Sequence, residues 1–237
     1  MNKRIWELDA LRGLCVIGMI AVHLLFDLWA LFGLLDLSHA PLFHFLVNWG
    51  GVPFVLISGI CVTFSSTGAK RGILVFSLGM LCTLVTAGMY LFNFANKSIL
   101  IYFGVLHCLG ACMLLWQLFK KLPVSALAVA GVVCIVLGFY FKACVRTQTM
   151  WLIPFGLLPQ GFASSDYFPL LPNLGYFLLG AVLGKTLYAN RRTLFPRVNG
   201  NFFMIRFFSF TGRHSLLIYL AHQPILAGII LLISLLF

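Results

Sequence analysis

The stretch from Glu7 to His39 reads ELDALRGLCVIGMIAVHLLFDLWALFGLLDLSH, an apolar run that carries Glu7, Asp9, Arg12, His23 and Asp27. About 20 residues at 1.5 Å each carry a helix across ~30 Å of hydrocarbon, and this run is long enough. Ionisable groups inside such a helix are costly, so they face the interior of a bundle and mark a site. The rest of the chain is therefore expected to supply further membrane helices around this one. Composition agrees, since 62% of the residues are hydrophobic and only 9% are charged, where a soluble domain carries about 25%. The expected fold class is all-α, a polytopic membrane helix bundle forming a single domain over residues 1–237.

Seven apolar segments of spanning length run near 8–34, 46–66, 72–93, 99–119, 123–141, 169–188 and 214–236. The connections near 67–71, 94–98 and 120–122 are short, which makes those neighbours antiparallel hairpins. With the N-terminus in the cytoplasm, the inner side receives Lys3, Arg4, Arg12, Lys70, Arg71, Lys120, Lys121, Lys185, Arg191, Arg192, Arg197, Arg206 and Arg213. The outer side receives Lys97, Lys142 and Arg146. That asymmetry follows the positive-inside rule, and an odd number of spans then puts the C-terminus outside. The net charge of +11 is thereby read as topology, and no nucleic-acid partner is expected. The apolar run after MNKR is too long for a signal-peptide core, so the first span is expected to stay on the protein. A bacterial inner membrane is the expected location.

Two connections are longer. Residues 142–168 hold Pro154, Gly156, Pro159 and Gly161 and are expected to fold back as a lid or re-entrant segment. Residues 189–213 alternate basic residues with Phe202, Phe203, Phe207 and Phe208, the pattern of a helix lying in the membrane interface. The seven cysteines show no CxxC pair and no metal-ligand spacing, so they read as small core hydrophobes and no metal is expected.

The polar groups within the spans need partners. Arg12 stands three residues after Asp9, which is either a local ion pair or part of an anion clamp with Lys70, Arg71 and Arg213. His23 lies about 16 Å of helical rise beyond Arg12 and shares a face with Asp27, four residues on. A buried pair of this kind is either an interhelical hydrogen bond or a site. His39 and His44 follow with Asp36 in a short outer loop. His107 and His222 are deep in the fourth and seventh spans, and Pro224 beyond His222 would free a backbone carbonyl there. Asp166 stands before the sixth span as a helix cap or a functional carboxylate, with Asn173 one to two turns on. His214, beside Arg213, reads as interfacial.

In order, the segments ELDALRGLCVIGMIAVH, SHA, VPFVLISG, FGVLHCLGA, DYFPLLPNLGYFLLG and TGRHSLLIYLAHQPIL resemble the catalytic-domain family of heparan-α-glucosaminide N-acetyltransferase, a group of transmembrane acyltransferases. The resemblance spans nearly the whole chain. It implies that a cytosolic acyl-CoA gives its acyl group to an amino or hydroxyl group of a sugar or glycan on the outer side. It also implies an essential histidine in the loop after the first helix, the position of His39, and a polar residue deep in that helix, the position of His23. The SHAPLFHF loop is less polar than the mammalian one, and heparan sulfate is not the expected acceptor.

An amine or hydroxyl attacking a thioester needs a base near neutral pH, which suits imidazole. His39 is the expected base or, second, an acyl carrier. Asp27 or Asp166 would orient it, and His23 would meet the thioester carbonyl. Arg12 with Asp9, Lys70, Arg71 and Arg213 would hold the CoA phosphates, with His107 and His222 along the donor path. Lipids, acyl-CoA and the glycan are the expected partners, and a homodimer stays open. One rival is a proton-coupled transporter or flippase using the same His and Asp groups. A haem protein with bis-His ligation is the other, though no regular histidine pairs favour it.

Overall fold

The computed structural model describes residues 5–31, 33–144, 147–200 and 202–236. The chain is α-helical, and among the described residues no strand forms beyond an isolated bridge between Phe103 and Tyr167. The helices are α1 (Trp6–Phe26), α2 (Pro41–Trp49), α3 (Gly51–Val62), α4 (Gly68–Leu91), α5 (Val105–Phe119), α6 (Val124–Cys144), α7 (Leu170–Thr186), α8 (Phe203–Arg213) and α9 (Ser215–Leu236). Among the described residues, Trp6–Trp29, Pro41–Val62, Gly68–Leu91 and Val124–Cys144 are long and apolar enough to cross a membrane. Helix α5, at 15 residues, and the apolar stretch Ser215–Ile229 are shorter. Lys3, Arg4 and Arg146, used in the charge tally, lie outside the described residues.

Two boundaries differ from the sequence expectation. The second span opens at Pro41, ahead of residue 46, because proline suits the first helical turn, where its missing N–H costs nothing. His44 therefore rides on α2 and is not a loop residue. The fourth segment becomes α-helical only at Val105, since Lys97–Ile99 is a 3₁₀ turn and Phe103 is taken up by its bridge to Tyr167.

The chain forms two compact units, one from residues 1–57 with 190–237, the other from residues 58–189. In the first, α1 packs against α8 and α9. The α1–α8 contact is made backbone to backbone at Gly13 and Gly212. A Cβ on Gly13 would overlap the Phe208 carbonyl, and one on Gly212 the Asp9 carbonyl. Of the helix expected over 189–213 only α8 forms, with Thr211 and Gly212 buried while Phe203, Phe207 and Phe210 are exposed.

In the second unit α5 is the central helix. Leu106, His107, Cys108, Leu109, Cys112 and Trp116 are all buried, so it is enclosed around most of its circumference. It packs on α4 and α7, and α7 packs on α6, with Leu127, Phe177 and Leu178 at the closed centre.

Candidate active site

The first unit gathers four polar side chains from α1 and α9. The Nδ1–H of His23 donates to the Met19 carbonyl one turn back, at 2.9 Å. A carbonyl can only accept, so the proton sits on Nδ1 and the neutral ring keeps its lone pair on Nε2. His222 repeats the arrangement, donating from Nδ1 to the Tyr219 carbonyl. The two imidazoles meet edge to face, with centroids 4.9 Å apart and planes inclined by 75°. Pro224, two residues beyond His222, has no N–H, so the Leu220 carbonyl lacks its usual helical donor in the same turn.

Asp27 is 2% exposed and opens a five-residue π-helical turn, Asp27–Leu31, that extends α1. Turns of this kind recur at functional sites. Gln223 hydrogen-bonds the Asp27 carboxyl and His23 interacts with it electrostatically. A carboxylate taken out of water needs such partners. The expected His23–Asp27 pair is thus brought together with His222, which the sequence reading placed on the donor path, and with Gln223, which it gave no role. The signal for Gln223 was present as a lone amide in the apolar run LLIYLAHQPIL.

At the N-terminal end of α1, Arg12 pairs with Asp9 at 3.7 Å, the local ion pair that the three-residue spacing allows. Glu7 is the buried group there, 3% exposed, and its Oε1 accepts the Leu194 backbone N–H at 2.8 Å. Trp6 beside it packs against Phe195, with ring centroids 6.5 Å apart. Arg213 is exposed at the end of α8 and donates from Nε to the Ser209 carbonyl, and His214 donates from Nδ1 to Phe210.

His39 is exposed in a turn between α1 and α2. Asp36 shapes that turn by accepting hydrogen bonds from the Ser38 backbone N–H at 3.0 Å and from its hydroxyl. These bonds stabilise the charged form and hold the Asp36 carboxyl below the usual carboxylate range. His44 closes the turn from α2, donating from Nε2 to the Ser38 carbonyl at 2.8 Å.

In the second unit His107 is 2% exposed and its hydrogen bonds run in one direction. The Gly104 N–H donates to its Nδ1 at 3.2 Å, which puts the ring proton on Nε2. That proton goes to Thr83 Oγ1 at 3.3 Å, and the Thr83 hydroxyl donates on to the Ile101 carbonyl at 2.7 Å. Phe103 stacks on one side of the ring, and Gly79 leaves room on another, where a Cβ would stand 3.0 Å from it. Asp166 accepts the Val105 N–H at 3.0 Å, so it caps the start of α5 and not the sixth segment, before which it stands in sequence and where a cap was expected. Asn173 donates to the Pro169 carbonyl at 2.7 Å. Tyr167 donates to the Ile153 carbonyl, and burial pushes its phenol up. Lys70 and Arg71 are exposed in the first turn of α4. Thr83, which fixes the His107 tautomer, was not singled out from sequence, because one threonine in a helix gives no signal of a partner in the next. Among the described residues, no group of three or more His, Cys, Asp or Glu side chains is arranged to hold a metal ion.

A family model described as heparan-alpha-glucosaminide N-acetyltransferase, catalytic, matches residues 4–224. That interval contains His23, Asp27, His39, His107, Asp166, His222 and Gln223. No curated protein and no solved structure matches the chain.

Proposed function

This chain belongs to the heparan-alpha-glucosaminide N-acetyltransferase catalytic family, and from that premise we propose that it moves an acetyl or other acyl group from cytosolic acyl-CoA to an amino or hydroxyl group of a sugar or glycan on the far side of the membrane. The family implies a transferase, and the apolar helices a membrane protein. The proposal adds the CoA donor, the glycan acceptor, seven spans with a cytoplasmic N-terminus, and a histidine base.

The observation that carries it is the cluster of His23, Asp27, His222 and Gln223. His23 has its Nδ1–H committed to Met19, so its Nε2 is the basic atom, beside a buried carboxyl. In the step proposed, Nε2 takes the proton of the acceptor amine or hydroxyl as its nitrogen or oxygen attacks the thioester carbonyl. The C–S bond then breaks, and the imidazolium returns the proton to the departing CoA thiolate. Asp27 favours the imidazolium that forms between these events. His39, the base that the resemblance indicates, sits exposed in the Asp36–Ser38 turn and is the alternative carrier of the same role. Arg12, paired with Asp9, and Arg213 are proposed for the CoA phosphates.

The test is a reconstituted assay with acetyl-CoA labelled in the acetyl group and an amino-sugar acceptor. Label appearing on the acceptor supports the proposal. If the thioester stays intact while the sugar crosses the bilayer, the chain is a transporter using the same cluster as a proton relay.

A further inference from the structure

Residues 190–213 contain Arg191, Arg192, Arg197, Arg206 and Arg213 and no acidic residue. The first part of this stretch, 190–200, has no regular secondary structure and lies against the beginning of α1. Three points pin it. The Leu194 N–H is held by the buried Glu7 carboxylate, Phe195 packs on Trp6, and Gly200 passes so close to the Trp6 indole that a Cβ there would stand 3.2 Å from the ring. Turn bonds from Val198 to Phe195 and from Phe202 to Asn199 keep the intervening loops short. Between and beyond the pins, Arg191, Arg192 and Arg197 are exposed, and Arg191 takes the left-handed backbone conformation at φ 50°.

The latch is itself incompletely satisfied. Among the described residues, Glu7 Oε2 is buried with no hydrogen-bond partner. A carboxylate taken out of water with one oxygen bonded is a weaker anchor than one with both bonded. A strap held this way can lift from α1 more readily than a fully bonded one. In sequence these arginines mark the inner side and an interfacial segment.

We propose that residues 190–200 form a strap, latched to α1 by Glu7, whose Arg191, Arg192 and Arg197 bind the phosphate groups of the acyl donor. This rests on the reading of the chain as an acyl-CoA-dependent transferase. Guanidinium groups bind phosphate oxygens in bidentate, charge-assisted pairs, and three on one short segment suit a ligand bearing several phosphates. An anionic lipid headgroup offers the same chemistry, so the experiment separates the two sources.

The probe is adenosine 3′,5′-bisphosphate, measured by equilibrium dialysis against the full chain in nanodiscs of neutral lipid and of neutral lipid mixed with phosphatidylglycerol. Changing Arg191, Arg192 and Arg197 together to Gln is expected to raise the probe dissociation constant about tenfold or more in both lipids. It should raise KM for acetyl-CoA by a similar factor and leave KM for the acceptor unchanged. Glu7→Ala, which removes the latch, should weaken the probe, while Glu7→Gln, which keeps an oxygen acceptor for Leu194, should restore most of the affinity. Unchanged probe binding in the triple variant overturns the proposal. So does probe binding that phosphatidylglycerol alone abolishes, which gives the arginines to lipid. Wild-type chain that binds the probe but transfers no acetyl group would leave the phosphate site standing and remove the transferase reading instead.

Discussion

The imidazoles of His23 and His222 stand 4.9 Å apart, edge to face, and each has its Nδ1–H tied to a carbonyl of its own helix. Both rings are thereby held in one tautomer, with the lone pair on Nε2. Asp27 and Gln223 lie one position or one turn further along the same two helices and meet each other. A pair of helices has thus placed two bases and one carboxyl together in an apolar setting.

His23→Gln should therefore lower acyl transfer by about 10²–10⁴-fold, the usual worth of a positioned base. His222→Gln should lower it by less, since His23 keeps its own tether to Met19. Initial rates with labelled acetyl-CoA, compared at equal folded protein, give the answer. A wild-type rate in His23→Gln together with an inactive His39→Ala would move the base to the loop.

Thr83→Val should destabilise the second unit. The His107 Nε2–H would lose its acceptor inside the protein, at a cost of about 1–3 kcal/mol. The check is a lower unfolding temperature in detergent. An unaltered melting curve would mean that His107 is not fixed by Thr83.

Gly212→Leu should be more damaging than a change of the same size on the exposed face of α8, such as Phe207→Leu. Any side chain at Gly212 overlaps the Asp9 carbonyl, so α1 and α8 must move apart. Overpacking of this kind costs about 1–3 kcal/mol, occasionally more. The yield of monodisperse protein on size-exclusion chromatography reads it directly.

The Asp36 turn carries a pH dependence of known sign. Its carboxyl is held below its ordinary value by Ser38, so the stabilisation is present above the unfolded pKa of about 3.9. It is lost as the pH falls through the lower, folded value. Hydrogen exchange at the Ser38 amide should thus be steady from neutral pH to about 4, beyond its ordinary chemical pH dependence, and lose protection only in stronger acid. In Asp36→Asn that protection should be weaker and should not titrate.

Much of this was legible in the residues. Apolar runs of spanning length leave few alternatives to helices, because a backbone in lipid must satisfy its own hydrogen bonds. The i, i+4 spacing of His23 and Asp27 and the i, i+3 spacing of Asp9 and Arg12 held because neighbours on one helix face are set by helical geometry alone. The ordered set of short motifs was enough to indicate the family. What spacing cannot encode is which face meets which helix. Thr83 beneath His107, Leu194 on Glu7 and Gln223 against Asp27 join residues that are far apart in sequence. Each pairing depends on how backbones approach, as at Gly13 and Gly212, where the absence of a side chain allows contact. The opening span of the chain showed its ionisable groups in sequence. Only the packing of α9 and the 190–200 segment against it supplied the partners, because buried polar groups are satisfied by whatever the fold brings within hydrogen-bond reach.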